Sequence, residues 1–223
     1  LPSDYDDFDP FHSTSWDKIE YQVDTSPRLY LDFAIKDLEF EKSGRTLVNS
    51  LSNAKRALHL QVETLANAFG FSVINTKKWP NFHDYLAYCE KCGIVTPRIL
   101  KKLNKVRNAV EHEYYIPTES ETEDFVDVVE LFLAATDRFI YQFPLEFEFL
   151  PRKKLNSNAP DIAHVEIKPY IGELFLIIYP QEDRDEDKED WDVYRHKASI
   201  KLSPKDESFF IWLALLVEKV HKS

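Results

Sequence analysis

Between residues 43 and 69 the apolar side chains Leu47, Val48, Leu51, Ala54, Leu58, Val62, Leu65, Ala66 and Phe69 recur at steps of three and four, and Gly70 follows. That period places them on one face of a helix about seven turns long, with the glycine as its stop. A long helix with one apolar face needs other helices to cover it, so the chain around it is expected to be a bundle. Hydroxyl and proline signals supply the neighbours. Thr25-Ser26-Pro27 opens a helix over about 27–41, a shorter one over 82–92 ends at Gly93, and Thr96-Pro97 starts one whose apolar residues are Leu100, Leu103, Val106 and Val110. Pro117 breaks that helix. Thr118 then opens an acidic first turn, favourable to the helix dipole, on a last bundle helix over about 121–141.

After Pro144 the period changes from helical to alternating. Residues 145–149 and 164–167 read as strands, 173–179 as an apolar strand, and a further strand falls near 193–202; Ile171-Gly172 supplies a turn. Residues 181–190 are almost wholly charged and read as a solvated loop. Ser203-Pro204 caps a final helix through Val220, with an apolar stripe of Phe210, Leu213, Ala214 and Val217. Residues 1–24 have no sustained period and read as an irregular arm that packs Phe8, Phe11 and Trp16 onto the body. The expected class is therefore α+β: an arm over 1–24, a helical bundle over 25–143, and a small antiparallel sheet with a C-terminal helix over 144–223.

A hydrophobic fraction of 43% with 16 Phe, 11 Tyr and 4 Trp supplies a core without disulfide or metal staples. The longest strongly apolar run, 209–217, is far short of the roughly 20 residues that span a bilayer, and no leader pattern opens the chain. No membrane association is expected. Cys89 and Cys92 are too close in sequence to staple distant parts of a fold, which fits a reducing, cytoplasmic setting. Cys89-Glu90-Lys91-Cys92 resembles half of a zinc knuckle, but no second Cys pair exists; His83 would face roughly the same side, yet three ligands on one short helix make poor tetrahedral geometry. No metal and no cofactor are expected. With 4 Gly in 223 residues there is no phosphate-cradling loop and no Gly-x-Ser-x-Gly elbow. His59 reads as a packed or surface residue, and so do His164 and His196. Met is absent and position 1 is Leu, which suggests a trimmed chain or missing residues, so inference rests on short motifs.

A net charge of −11 repels nucleic acid on average, so a phosphate-binding role needs a local reversal of sign. Residues 97–112 supply one: Arg98, Lys101, Lys102, Lys105 and Arg107 stand against the single acid Glu111. Charge by itself is met more simply by a solvated helix face that balances the acidic helix beginning at Thr118.

The end of that helix carries Arg107, Asn108 and His112, followed by Glu113-Tyr114-Tyr115-Ile116-Pro117. This string resembles the signature of the HEPN ribonuclease-like family, an Arg, a polar residue, and a His four to six residues after the Arg. The setting is similar too, because that family is a helical bundle whose motif ends a long helix just before the final one; the resemblance covers about residues 25–143. It implies a metal-independent endoribonuclease in a toxin or defence role. His112 would serve as general base or acid, Arg107 would clamp the phosphate, and Asn108, roughly 40° from His112 around the helix, would orient His112 or a phosphate oxygen. Arg98, Lys101, Lys102 and Lys105 would attract the RNA backbone. One chain offers one such His, so the resemblance also implies a homodimer in which two motifs face one cleft, and leaves room for a cognate antitoxin. A structural use stays open, with His112 at helix-terminal carbonyls and Arg107 paired to Glu111. The alternative function is a non-catalytic HEPN-like interaction module that binds a protein partner.

Overall fold

The computed structural model describes residues 8–40, 42–94, 100, 115–151, 161–179 and 198–222. The chain order is β1 (Phe8–Asp17), α1 (Pro27–Phe40), α2 (Gly44–Ala68), α3 (Phe71–Ile74), α4 (Phe82–Lys91), α5 (Glu119–Thr136), α6 (Arg138–Tyr141), β2 (Phe143–Pro151), β3 (Asp161–Lys168), β4 (Glu173–Tyr179), β5 (Ala198–Leu202) and α7 (Glu207–Lys222). This is an α+β fold: a helical bundle with one five-stranded antiparallel sheet and a C-terminal helix.

The helix starts follow from local side-chain chemistry. The Ser26 hydroxyl accepts from the Leu29 N–H at 3.2 Å at the start of α1, while α2, α4 and α5 each open on a reciprocal capping box, Ser43 with Thr46, Asn81 with Asp84, and Thr118 with Glu121. Each box satisfies two otherwise orphaned backbone donors. α2 ends as expected, with Gly70 left-handed at φ 92°. The last bundle helix differs from the expected continuous helix to Tyr141, since it is interrupted at Asp137. There the Thr136 hydroxyl donates back to the Phe132 carbonyl at 2.8 Å, a contact that bends helices, and the Asp137 carboxylate accepts from Arg28. The interruption sends Phe139 and Ile140 into the core.

The N-terminal arm corrects a second expectation. It is not irregular: Phe8–Asp17 is an edge strand that pairs antiparallel with β2 from Phe8 opposite Pro151 to Asp17 opposite Phe143. Register shifts interrupt the ladder three times, between Pro10 and His12, Ser13 and Ser15, and Ser15 and Trp16. Such irregularity and a proline are tolerated at an edge, where one side of the strand carries no ladder. Trp16, expected to pack on the body, is 56% exposed.

The bundle and the α/β part share one core. The largest fully buried side chains include Phe69, Phe125 and Phe139 from the helices and Phe143, Phe147 and Phe209 from the segment after residue 142. At about 1.5–3 kcal/mol for each large side chain removed from water, this shared layer outweighs any single surface contact. Rings meet across the seam, Phe69 with Phe143 at 5.0 Å and Tyr88 with Phe210 at 5.6 Å between centroids. The β3–β4 turn, with Tyr170 at φ 64° and Gly172 at φ 66°, seats against the end of α2, where the Tyr170 N–H donates to the Ala68 carbonyl at 2.9 Å. Helix α7 lies against the turn after α4, where a β-carbon on Gly93 would come within 2.7 Å of the Ala214 Cα, and Arg138 donates to the Val220 carbonyl near its C-terminus. No helix among the described residues is long and apolar enough to cross a membrane.

Candidate functional site

Every residue of the motif and its basic helix, Arg107, Asn108 and His112 with Arg98, Lys101, Lys102 and Lys105, lies outside the described residues. His196 and the charged loop over 181–190 do so as well. The structure does describe the chain before and after the motif. After α4 the Ile94 N–H donates to the Cys89 carbonyl at 3.1 Å and the Ile94 side chain is buried. Leu100, helical, is fully buried, as the apolar period starting at that residue requires. On the far side Pro117 is buried and Ile116 lies over Gly44 at the start of α2.

The return is clasped by one carboxylate. Glu121 Oε2 accepts from the Thr118 N–H at 2.8 Å, the Thr118 hydroxyl at 2.9 Å and the Tyr115 phenol at 2.7 Å. These donors hold the Glu121 carboxyl below the usual carboxylate range, the Thr118 backbone N–H first among them, and the same contact pushes the Tyr115 phenol up. The chain is thereby fixed three residues after His112. The signal for this clasp stands in the sequence as Thr118-x-x-Glu121, the capping-box spacing, though the part played by Tyr115 depends on tertiary geometry.

Helix α5, which follows the motif in the chain, is acidic. Helix α5 holds Glu119, Glu121, Glu123, Asp124, Asp127 and Glu130 with no Lys or Arg, and Lys42, from the α1–α2 connection, lies between Glu119 at 2.9 Å and Glu123 at 2.7 Å. Those two carboxylates, Glu123 first, push the Lys42 ammonium up.

Among the other candidates, His59 packs its ring against Phe82 and Tyr85, with centroids 5.8 and 6.0 Å away. Cys89 and Cys92 are free thiols buried in the core, whereas His83 is exposed on the same helix and so does not share their side. Among the described residues no three His, Cys, Asp or Glu side chains converge as metal ligands. Burial pushes both thiols well above the ordinary cysteine value, and a thiol held neutral is a poor nucleophile. We expect a maleimide to leave both thiols unmodified in the native chain over a time in which urea-denatured chain reacts at two sites by mass. Fast native labelling of either would contradict the buried placement.

A polar cluster that the sequence reading missed lies at the joint of α1, α2 and α5. The fully buried Gln61 donates to Thr136 Oγ1 at 3.0 Å and to Asp137 Oδ1 at 3.2 Å, and accepts from the Tyr21 hydroxyl at 3.4 Å. Arg28 closes the cluster on Asp137 Oδ2, its Nε at 2.8 Å. Burial, then the neighbouring Tyr141 and Asp137, push the Tyr21 phenol up. With its donors and acceptors paired among themselves, the cluster serves as a clamp between helices and not as a reactive site. Compared with known proteins, the chain matches no family model, no curated protein and no solved structure.

Proposed function

We propose that this chain is a metal-independent endoribonuclease of HEPN type, acting as a toxin or defence effector in a reducing cytoplasm. The observation that carries the reading is Arg107-Asn108-x-x-x-His112, placed in the chain directly before the last helix of a helical bundle. The buried Leu100 before it and the Tyr115–Glu121 clasp after it support the reading, because a catalytic string has to be held at both ends to keep a productive geometry.

The chemistry follows from the residue types. A base removes the proton of a ribose 2′-hydroxyl, its oxygen attacks the adjacent phosphorus, the bond from phosphorus to the 5′-oxygen breaks, and an acid protonates that leaving oxygen. His112 suits either proton transfer near neutrality, and Arg107 suits the charge that builds on the phosphorane. Two transfers in one step want two imidazoles, so the proposal includes a homodimer that brings a second His112 to the same cleft. Pairing the two basic segments also concentrates positive charge against an acidic total. The alternative, a non-catalytic module that binds a protein partner, is favoured by the exposed Leu29, Phe33 and Phe40 on α1.

Purified chain incubated with single-stranded and structured RNAs in EDTA should leave 2′,3′-cyclic phosphate and 5′-hydroxyl ends. Photo-crosslinked RNA should map to 98–112 and not to 181–202. Inactivity on all RNAs would transfer the assignment to the partner-binding module.

A further inference from the structure

Helix α1 has two apolar faces, and the fold uses one of them. Pro27, Leu31, Ala34 and Leu38 are buried against the bundle. At about 100° per residue, Leu29, Phe33, Lys36 and Phe40 fall within an arc of roughly 60° on the opposite side. The three apolar members of that arc are 42%, 41% and 81% exposed. Single exposed apolar residues need no account, but three in line along the outer face of a helix form a stripe, here interrupted once, by Lys36.

Its borders indicate what fits it. Arg28 bonds Asp137 at one end of α5 and Lys42 bonds Glu119 and Glu123 at the other, so α5 runs antiparallel along one side of α1. On that side Asp32 and Glu39 flank the stripe, and beyond them α5 adds Glu123, Asp127 and Glu130 without a Lys or Arg. Lys36 pairs with Asp32 at 2.6 Å and Lys42 with Glu119 and Glu123, so among the described residues the rail keeps Glu39, Asp127 and Glu130 in excess of its cations. On the α2 side Asp37 accepts from Asn53 at 3.2 Å, and Arg56 stacks over Tyr30. The stripe is thus an apolar seam beside an acidic rail.

We propose that the outer face of α1, through Leu29, Phe33 and Phe40, docks an amphipathic helix of a protein partner whose apolar seam is flanked by Lys or Arg. Helices pack side by side at 8–10 Å with apolar seams inward and charges at the edges, and an acidic rail selects a basic edge. A second copy of this chain paired through the same face of α1 fits poorly. Antiparallel self-pairing about the middle of the stripe sets Leu29 against Phe40 but brings Asp32 beside Glu39 of the other copy, and parallel pairing brings Glu39 beside Asp37. RNA fits poorly as well, because the rail repels phosphate. The inference does not rest on the ribonuclease reading.

The test uses two synthetic helical peptides with the same leucine seam, one flanked by lysines and the other by glutamates, titrated into isotope-labelled full-length chain. The lysine peptide should shift the amide resonances of α1, and should bind about tenfold or more tightly than the glutamate peptide at low salt. Phe33→Ser with Phe40→Ser should weaken it by about tenfold or more, as should Glu39→Lys, which leaves the seam untouched. Phe40→Ser alone, at an 81% exposed position, keeps the test valid if the double variant unfolds. Equal affinity for the two peptides, shifts that map away from α1, or a change in the oligomeric state of the free protein on Phe40→Ser would each overturn the proposal.

Discussion

Gly70→Ala is expected to destabilise the protein by about 3–5 kcal/mol, a loss comparable to that from a large core cavity. Two independent penalties act at this position. The backbone is left-handed at φ 92°, which strains any side chain, and a β-carbon there would come within 2.3 Å of the Gly172 Cα and 3.1 Å of the Gly172 nitrogen. Both obstacles are backbone, so no rotamer change relieves them. Gly172 itself sits at φ 66° beside Tyr170, whose N–H is spent on the Ala68 carbonyl, so moving the turn away would break the seam between bundle and sheet. Gly44→Ala is the control: its β-carbon would meet only the exposed Ile116 side chain, at 3.3 Å, and at a helix start the change should stay within about 1 kcal/mol. Urea and thermal unfolding followed by circular dichroism measure both, with the Gly70 variant expected to melt about 10 °C lower. Coincident curves for Gly70→Ala and the parent would show that bundle and sheet are not joined through this contact.

His112→Ala and Arg107→Ala should each reduce RNA cleavage by about 10²–10⁴-fold without unfolding the chain, the range spanned by loss of a general acid–base or of a charge-stabilising group. Both groups act on the transition state under the proposed chemistry, so the loss should fall on kcat and not only on KM. Lys101→Ala should behave differently, weakening RNA binding and reducing the salt slope by about one while turnover on bound RNA persists. Circular dichroism spectra matched to the parent are required for each variant. Turnover by His112→Ala at the parent's rate on any RNA the parent cuts would remove the ribonuclease proposal, and a parent that cuts no RNA above background would leave the partner-binding reading in its place.

The helices were legible because their determinants are local. Apolar side chains at steps of three and four mark α2, and Ser43, Thr118 and Gly70 mark ends whose orphaned backbone groups must be satisfied nearby. Strands β2, β3 and β4 were legible for a related reason, since alternation along 145–149 and 164–167 and the apolar run over 173–179 leave little choice of conformation. The candidate site was legible only as a string, Arg107-Asn108-x-x-x-His112 among five cations, because residue types and short spacing carry proton-transfer and phosphate-binding capacity wherever they lie. Its clasp was half visible: Thr118-x-x-Glu121 is a local spacing, but the Tyr115 phenol joins it only once the chain has turned.

From the amino-acid order alone came the α+β class, the positions of α1, α2, α4 and β2 to β4 and the buried face of α2, all set by interactions within a few residues. Tertiary structure decided the rest. Strand β1 shows no alternation in Phe8-Asp9-Pro10-Phe11-His12 and exists because β2, more than a hundred residues away, offers it a ladder. The union of bundle and sheet likewise depends on Gly70 meeting Gly172 and Gly93 meeting Ala214, contacts between distant segments. Whether an apolar stripe such as Leu29, Phe33 and Phe40 is core or surface was decided there too, because periodicity says which residues share a face, and only packing says which face meets another element.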